Sequence, residues 1–103
     1  MLSTISTENK IRTFQREKLT IKVFPTLSEM GARAAREVSD RICALLAGKA
    51  EVNMIFAAAP SQLEFLHRLT EDERIDWARI NAFHMDEYVG IPSEAPQSFA
   101  NFL

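Results

Sequence analysis

The sequence predicts an α/β fold in which a parallel sheet is flanked by helices. Three short apolar runs typical of strands, at residues 19–25, 51–59 and 77–85, alternate with two segments of helical periodicity. The order strand, helix, strand, helix, strand favours parallel strands joined by right-handed crossovers. A chain of 103 residues is long enough for one domain at most.

The N-terminal half contains a strand and a long helix after a segment with only weak patterning. Residues 1–18 are polar and mixed, and they predict an N-terminal arm or an extra helix. A strand is predicted at residues 19–25, LTIKVFP, where β-branched residues alternate with others up to a proline. The next helix begins with a capping box of Thr26 and Glu29, and Gly48 ends it. Its apolar stripe consists of Met30, Ala34, Val38, Ile42 and Leu45.

A second strand and a second helix follow. The run at residues 51–59, EVNMIFAAA, is almost continuously apolar, which is typical of a strand covered on both faces. Pro60 permits a helix to begin, and Ser61 with Glu64 fits a second capping box. The apolar stripe of this helix consists of Leu63, Leu66 and Leu69.

The C-terminal third is predicted to contain a turn, the third strand and the start of another helix. We expect a solvated turn at residues 70–76, TEDERID, and the strand at residues 77–85, WARINAFHM. A further helix, capped by Ser98, is expected to begin within residues 98–103, SFANFL.

Composition excludes several classes of protein. The formal charge of −2 argues against a dedicated nucleic-acid-binding protein, which carries a basic excess. No apolar run reaches the roughly 20 residues that a membrane span requires, and the charged N-terminus does not fit a signal peptide. The cytoplasm is therefore the default location, with no membrane partner. Cys43 lies among apolar residues and is interpreted as a buried helical thiol.

Two strand ends contain chemically informative residues. In open parallel sheets, ligands bind beyond the carboxyl ends of the strands, and here those ends continue as AAAPSQ and MDEYVG. Asp86 is a candidate general base, because partial burial raises the pKa of a carboxyl towards neutrality; alternatively, it caps the following turn. Glu87 is interpreted as a structural partner of a basic group, and Tyr88 as a packed ring with an exposed hydroxyl.

The loop at residues 57–62 is a weaker candidate for an anion site. Helix N-termini bind phosphate through their N–H groups, usually with glycines that allow close approach. Here three alanines stand ahead of Pro60, and a tightly packed junction explains them equally well. The two histidines have no metal-ligand spacing with an acid. We interpret His84 as half-buried and hydrogen-bonded or as a proton relay, and His67 as a surface residue.

Residues 83–103, FHMDEYVGIPSEAPQSFANFL, resemble a segment of the glucosamine-6-phosphate deaminases (isomerases). That segment reads approximately F-N-M-D-E-Y-V-G-L, followed by a proline loop and P-x-S-Y. The resemblance extends over residues 19–103 and leaves residues 1–18 outside. It implies a Rossmann-like parallel sheet with flanking helices, of which this chain would be the N-terminal part.

The resemblance also implies a reaction and the residues that perform it. Asp86 would move a proton between C2 and C1 of an open-chain amino sugar phosphate, giving a ketose phosphate and ammonia without a cofactor or metal. The role requires its carboxylate to face a sugar-sized hollow at the ends of parallel strands. Substrate binding would fall on Ala57, Ala58, Ala59, Pro60, Ser61, Gln62, Glu87 and Tyr88.

Two departures from the family pattern affect these expectations. The phosphate loop of the family reads G-G-T-P or G-S-T-P, whereas alanines occupy its small positions here. The family's ring-opening histidine lies in a G-x-G-x-D-G-H-I-A-F-N-E type segment, for which these residues contain no match. We therefore expect the N-terminal part of an enzyme, with little or no turnover on its own and a tendency to form homo-oligomers.

Other functions remain open from the sequence. A sugar-lactone hydrolase similar to 6-phosphogluconolactonase would share the sheet and the phosphate crevice, although the M-D-E-Y run favours the deaminases. A non-catalytic sugar-phosphate sensor would bind ligand through the altered loop. A phospho-acceptor receiver domain is excluded, because it needs an acidic pair after its first strand, where this sequence reads FPT.

Overall fold

A computed structural model of the protein describes residues 11–57 and 59–103, which form a mixed α/β structure with two small sheets. The strands are β1 (Arg12–Arg16), β2 (Leu19–Val23), β3 (Val52–Phe56) and β4 (Ile80–His84). The helices are α1 (Leu27–Leu46), α2 (Leu63–Thr70) and α3 (Phe99–Phe102), and 3₁₀ turns at Pro60–Gln62 and Trp77–Arg79 precede α2 and β4. None of the helices in these ranges is long and apolar enough to cross a membrane.

The N-terminal strands form an antiparallel hairpin, which differs from the prediction. The strand predicted at residues 19–25 is confirmed as β2, but it pairs with β1 and not with a parallel sheet. The helical interpretation of residues 1–18 is wrong for Arg12–Arg16, and residues 1–10 lie outside the described part. The two strands are joined by a two-residue reversal in which Glu17 adopts the left-handed region, with φ of 54°. This tight reversal returns the chain directly onto β1, so β2 has its partner before α1 begins.

Helix α1 begins where the sequence predicts but buries a different stripe. The hydroxyl of Thr26 accepts a hydrogen bond from the N–H of Glu29 at 3.1 Å, which confirms the capping box. The buried residues are Gly31, Ala35, Ser39, Ile42 and Leu46. This stripe is shifted by one residue from the predicted one at every position except Ile42, and Met30 is 46% exposed.

Small residues explain the shift, because they allow α2 to pack closely against α1. A Cβ atom built on Gly31 would lie only 2.5 Å from Cγ of Glu64. Glu64 therefore packs over a position that has room only for hydrogen. The second capping box is not formed, since neither the 3₁₀ turn nor α2 receives a hydrogen bond from a capping side chain.

Strands β3 and β4 are parallel neighbours, as the predicted topology requires. Val52 lies opposite Ile80, and Phe56 lies opposite His84. One face of this pair packs against the helices, but the opposite face is open, with Ile55 65% exposed. The prediction that the strand is covered on both faces is therefore wrong for this chain.

The core lies between α1, α2 and the covered face of β3. Its buried apolar residues are Ala35, Ile42, Leu46, Phe56, Leu69 and Ile75. Ile75 belongs to the segment that we predicted as a solvated turn, which is thus partly wrong. The apolar residue in TEDERID folds inward, because Asp72 and Arg74, which precede it, hold the loop against α1.

Candidate functional site

The carboxyl ends of β3 and β4 meet at one edge of the parallel pair. The N–H of Met85 donates to the carbonyl of Phe56 at 2.8 Å, so the pairing continues one residue beyond β4. The loop that leaves β3 and the M-D-E-Y segment that leaves β4 consequently begin side by side. This arrangement is the one in which open parallel sheets bind ligands.

Asp86 lies at this edge and is exposed to solvent. The strands on which it depends are parallel, but the partial burial expected for its side chain is not observed. Asp86 also lines neither of the two grooves described below, so the sugar-sized hollow that its role requires is not observed beside it. His84 is half-buried, and its Nδ1 donates to the main-chain oxygen of Asp86 at 3.0 Å. The interpretation of His84 as a half-buried, hydrogen-bonded residue is confirmed, and its bond is to the main chain and not to the carboxylate.

Glu87 is engaged within the protein by four donors. Its carboxylate accepts from the N–H groups of Tyr88, Phe99 and Ala100 at 3.0–3.1 Å and from the hydroxyl of Ser98 at 3.0 Å. The bond from the Phe99 N–H, followed by those from Ala100, Tyr88 and Ser98, lowers the pKa of Glu87 to about 2. The predicted structural role is confirmed, but its partners are main-chain and hydroxyl groups. The nearest basic contact, His84 Nε2, lies 4.0 Å away.

Tyr88 and Ser98 complete the attachment of the C-terminal helix. The Tyr88 ring packs against Phe99 with a centroid separation of 5.1 Å, and the residue is 54% exposed. Ser98 caps α3 through a hydrogen bond from the N–H of Asn101, as the sequence predicts. The M-D-E-Y segment therefore has one carboxylate that is used structurally and one, on Asp86, that faces solvent.

The loop between β3 and α2 is only partly turned towards Asp86. Ala57 is half-buried, Ala59 and Pro60 are exposed, and Ala58 lies outside the described residues. Ser61 and Gln62 line a groove of about 320 Å³ between α1 and α2. Of the predicted substrate-binding residues, the structure thus brings Ala57 near the M-D-E-Y segment but assigns Ser61 and Gln62 to another surface.

A second groove, of about 570 Å³, lies beside β4 on the covered face of the pair. Neither Asp86 nor the alanine loop lines it. Its apolar walls include Phe56, Leu63, Leu66, Trp77, Ala82 and Phe102. Ala82 of β4 lines the groove and is exposed.

A polar cluster between α1 and the turn after α2 was missed by the sequence analysis. Ser39 is fully buried and donates to Asp72, while Arg74 bonds Asp72, Ser39 and Asp40 at 2.9–3.1 Å. The Arg74 guanidinium, followed by the Ser39 hydroxyl, holds the pKa of Asp72 well below its usual range. The thiol of Cys43 lies 3.7 Å from the main-chain oxygen of Arg74, so it is half-buried beside this cluster.

The alternating charges of TEDERID were the one indication of this cluster in the sequence. They did not indicate that the turn would contact α1. The described residues contain no group of three or more His, Cys, Asp or Glu side chains arranged to hold a metal. His67 is a surface residue, as expected, and pairs with Glu71 at 3.2 Å.

In comparisons with known proteins, no family model, no curated protein and no solved structure matches the chain.

Proposed function

We propose that the chain contributes the proton-transfer half of an amino sugar phosphate isomerase, as part of a Rossmann-like glucosamine-6-phosphate deaminase. One observation supports this most directly: the ends of β3 and β4 are hydrogen-bonded neighbours, which brings the resembling M-D-E-Y segment beside the loop expected to hold phosphate. The resemblance supplies the substrate class.

The proposed chemistry needs one carboxylate and no electron carrier. The Asp86 carboxylate takes the proton from C2 of the open-chain aldose, the C2–H electron pair forms the C1–C2 double bond, and the C1 oxygen takes a proton from water to give an enol. Return of the proton from Asp86 to C1, with loss of one proton from the amino group to water, leaves an imine at C2, which water hydrolyses to the ketose and ammonia. Glu87 serves as a positioning residue, because its four hydrogen bonds fix the main chain next to Asp86.

Phosphate would be held by main-chain N–H groups. The segment from Ala57 to Gln62 contains no lysine or arginine, so it offers no side-chain cation. Pro60 has no N–H, and the N–H groups of Gln62 and Leu63 already donate to the carbonyls of Ala59 and Pro60. A phosphate would therefore be met by the main chain ahead of Pro60, at the end of β3.

The exposure of Asp86 supports low activity for this chain alone. A carboxylate in water is well solvated, so it lacks the desolvation that strengthens catalytic bases. The same exposure favours the alternative of a non-catalytic sugar-phosphate sensor, in which Asp86 contacts ligand hydroxyl groups without removing a proton.

Proton exchange separates these functions even when turnover is slow. Fructose 6-phosphate with ammonium in D₂O forms the imine of the reverse reaction, and removal of its C1 proton introduces deuterium that NMR detects. We expect the chain to accelerate this exchange above buffer, and Asp86→Asn to reduce the enzymatic part roughly 100-fold or more.

Glu94→Gln provides the matched control, because Glu94 is an exposed acid in the same loop. It should leave the exchange unchanged. Sugar-phosphate binding without exchange above buffer would replace the isomerase with the sensor. Neither binding nor exchange would reject both.

A further inference from the structure

His84, the last residue of β4, takes no part in the proposed proton transfer, although its side chain reaches Asp86. Its Nδ1 lies 3.0 Å from the main-chain oxygen of Asp86. The backbone that carries the imidazole is itself fixed, because His84 lies opposite Phe56 in the parallel pair and Phe56 is only 5% exposed. The ring therefore extends from a strand that is anchored in the core to the segment that carries the proposed base.

The carboxylate of Asp86 is exposed, so its direction follows from the conformation of its main chain. Three contacts restrain that main chain. Before Asp86, the N–H of Met85 donates to the carbonyl of Phe56 at 2.8 Å, and after it the Glu87 carboxylate is held by four donors. The bond from His84 is the one of the three that acts on Asp86 itself, because it holds the carbonyl of the peptide joining Asp86 to Glu87.

The geometry also indicates which nitrogen of the His84 ring carries the proton. A neutral imidazole has one N–H donor and one lone pair. An N–H on Nδ1 makes a hydrogen bond of ordinary length with the Asp86 carbonyl, whereas a lone pair there would face that oxygen at 3.0 Å. Nε2 lies 4.0 Å from the Glu87 carboxylate, which already accepts from four donors. The neutral ring should therefore be the Nδ1–H tautomer.

From these contacts we infer that His84 is a positioning residue for Asp86, which it orients by donating from Nδ1 to the Asp86 carbonyl. The inference rests on the proposed function, because it assigns His84 to the same proton transfer. A proton relay between the two side chains is not favoured, since the hydrogen bond of the imidazole is to the main chain. Loss of this bond should let the Asp86–Glu87 peptide rotate, so that the carboxylate meets C2 less often.

Long-range ¹H–¹⁵N NMR spectra of the unaltered chain, recorded at alkaline pH where imidazoles are neutral, report the tautomer directly. His67 is the internal control, because its Nε2 lies 3.2 Å from Oε1 of Glu71 and should carry its proton. We expect the two histidines to show opposite tautomers, Nδ1–H for His84 and Nε2–H for His67. An Nε2–H tautomer at His84, or a mixture of the two forms, would overturn the inference whatever the activity.

Two neutral amides then test the position of the donor. In His84→Asn the amide nitrogen can occupy the place of Nδ1, whereas in His84→Gln it extends to the place of Nε2. In the deuterium-exchange assay we expect His84→Asn to retain most of the enzymatic rate and His84→Gln to lose about tenfold. The carbonyl ¹³C shift of Asp86 should follow the same order, close to that of the parent in His84→Asn and displaced in His84→Gln.

The variant Asp86→Asn separates failure of this inference from failure of the proposed function. If it abolishes exchange while both His84 variants exchange at the parental rate, His84 has no positioning role and the proposed function stands. If no exchange above buffer occurs, or Asp86→Asn leaves it unchanged, the proposed function is rejected and the positioning role with it. Equal losses in His84→Asn and His84→Gln would show that the imidazole does not act through Nδ1, which would also overturn the inference.

Discussion

Two loops of this protein use a carboxylate in the same way but hold very different parts of the structure. In the turn after α2, Asp72 accepts from Ser39 and Arg74; in the loop after β4, Glu87 accepts from main-chain groups of α3. Both pKa values are lowered by these bonds. The first loop contributes Ile75 to the core, whereas the second attaches a helix of four residues.

The difference shows that the effect of a carboxylate cluster on stability depends on the segment that it attaches, whether part of the core or a short terminal helix. Loss of the Asp72 cluster should weaken packing between α1 and the turn, and therefore the whole cooperative unit. Loss of the Glu87 cluster should release residues 98–103 while the core stays folded. Local opening of this kind requires less free energy than global unfolding.

The largest expected effect comes from Ser39→Ala. The substitution removes a fully buried hydroxyl that donates to Asp72 and accepts from Arg74. We expect the free energy of global unfolding to fall by about 1–3 kcal/mol, measured by urea denaturation with circular dichroism. Ser93→Ala, in the exposed loop after β4, is the control and should change it little; equal losses in the two variants would contradict the comparison.

Glu87→Gln should have a smaller and more local effect. The amide keeps the shape of the side chain but loses the charge, and its nitrogen cannot accept the hydrogen bonds that the carboxylate receives. We expect hydrogen exchange at residues 98–103 to accelerate severalfold while exchange at the core helix residues is unchanged. Glu94→Gln in the same loop should leave both regions unaffected, and global destabilisation by Glu87→Gln would show that the loop is part of the core unit.

The smallest effect should come from mild acid. The pKa of Glu87 is lowered from 4.5 to about 2, so its stabilisation of α3 is complete above pH 4.5 and is lost as pH falls towards 2. At intermediate pH only part is lost, which makes the effect weaker than the substitution. The contact between the Tyr88 and Phe99 rings, followed by NMR, should decrease over this range, and the midpoint should lie below 4.5; loss of the contact well above pH 4.5 would contradict the assignment.

The sequence predicted those elements whose determinants are local. The capping box of Thr26 and Glu29 and the cap of Ser98 are confirmed because each joins residues three apart in the chain. The parallel pairing of β3 and β4 followed from the alternation of strands and helices. The antiparallel pairing of β2 could not be predicted in this way, because the sequence of its partner β1 shows only a weak helical period, which is misleading.

Side-chain environments were harder to predict than elements. Glu87 and Asp86 are adjacent in sequence, yet one receives four donors and the other faces solvent, which depends on where the chain returns at Phe99. The burial of Ser39 depends on Asp72, 33 residues later. Contacts between residues so far apart in the chain produce no periodic pattern that a single sequence would reveal.

The hydrogen-only space at Gly31 has a consequence for the loop that follows β3. Glu64 packs directly on Gly31, so the close contact between α1 and α2 fixes where α2 begins. The position of that first turn in turn fixes the path of the 3₁₀ turn before it. A single methyl group added there would act as a wedge, and the displacement would reach the alanine loop without altering any residue in it. The spacing between α1 and α2 thus affects the shape of the loop at the carboxyl end of β3.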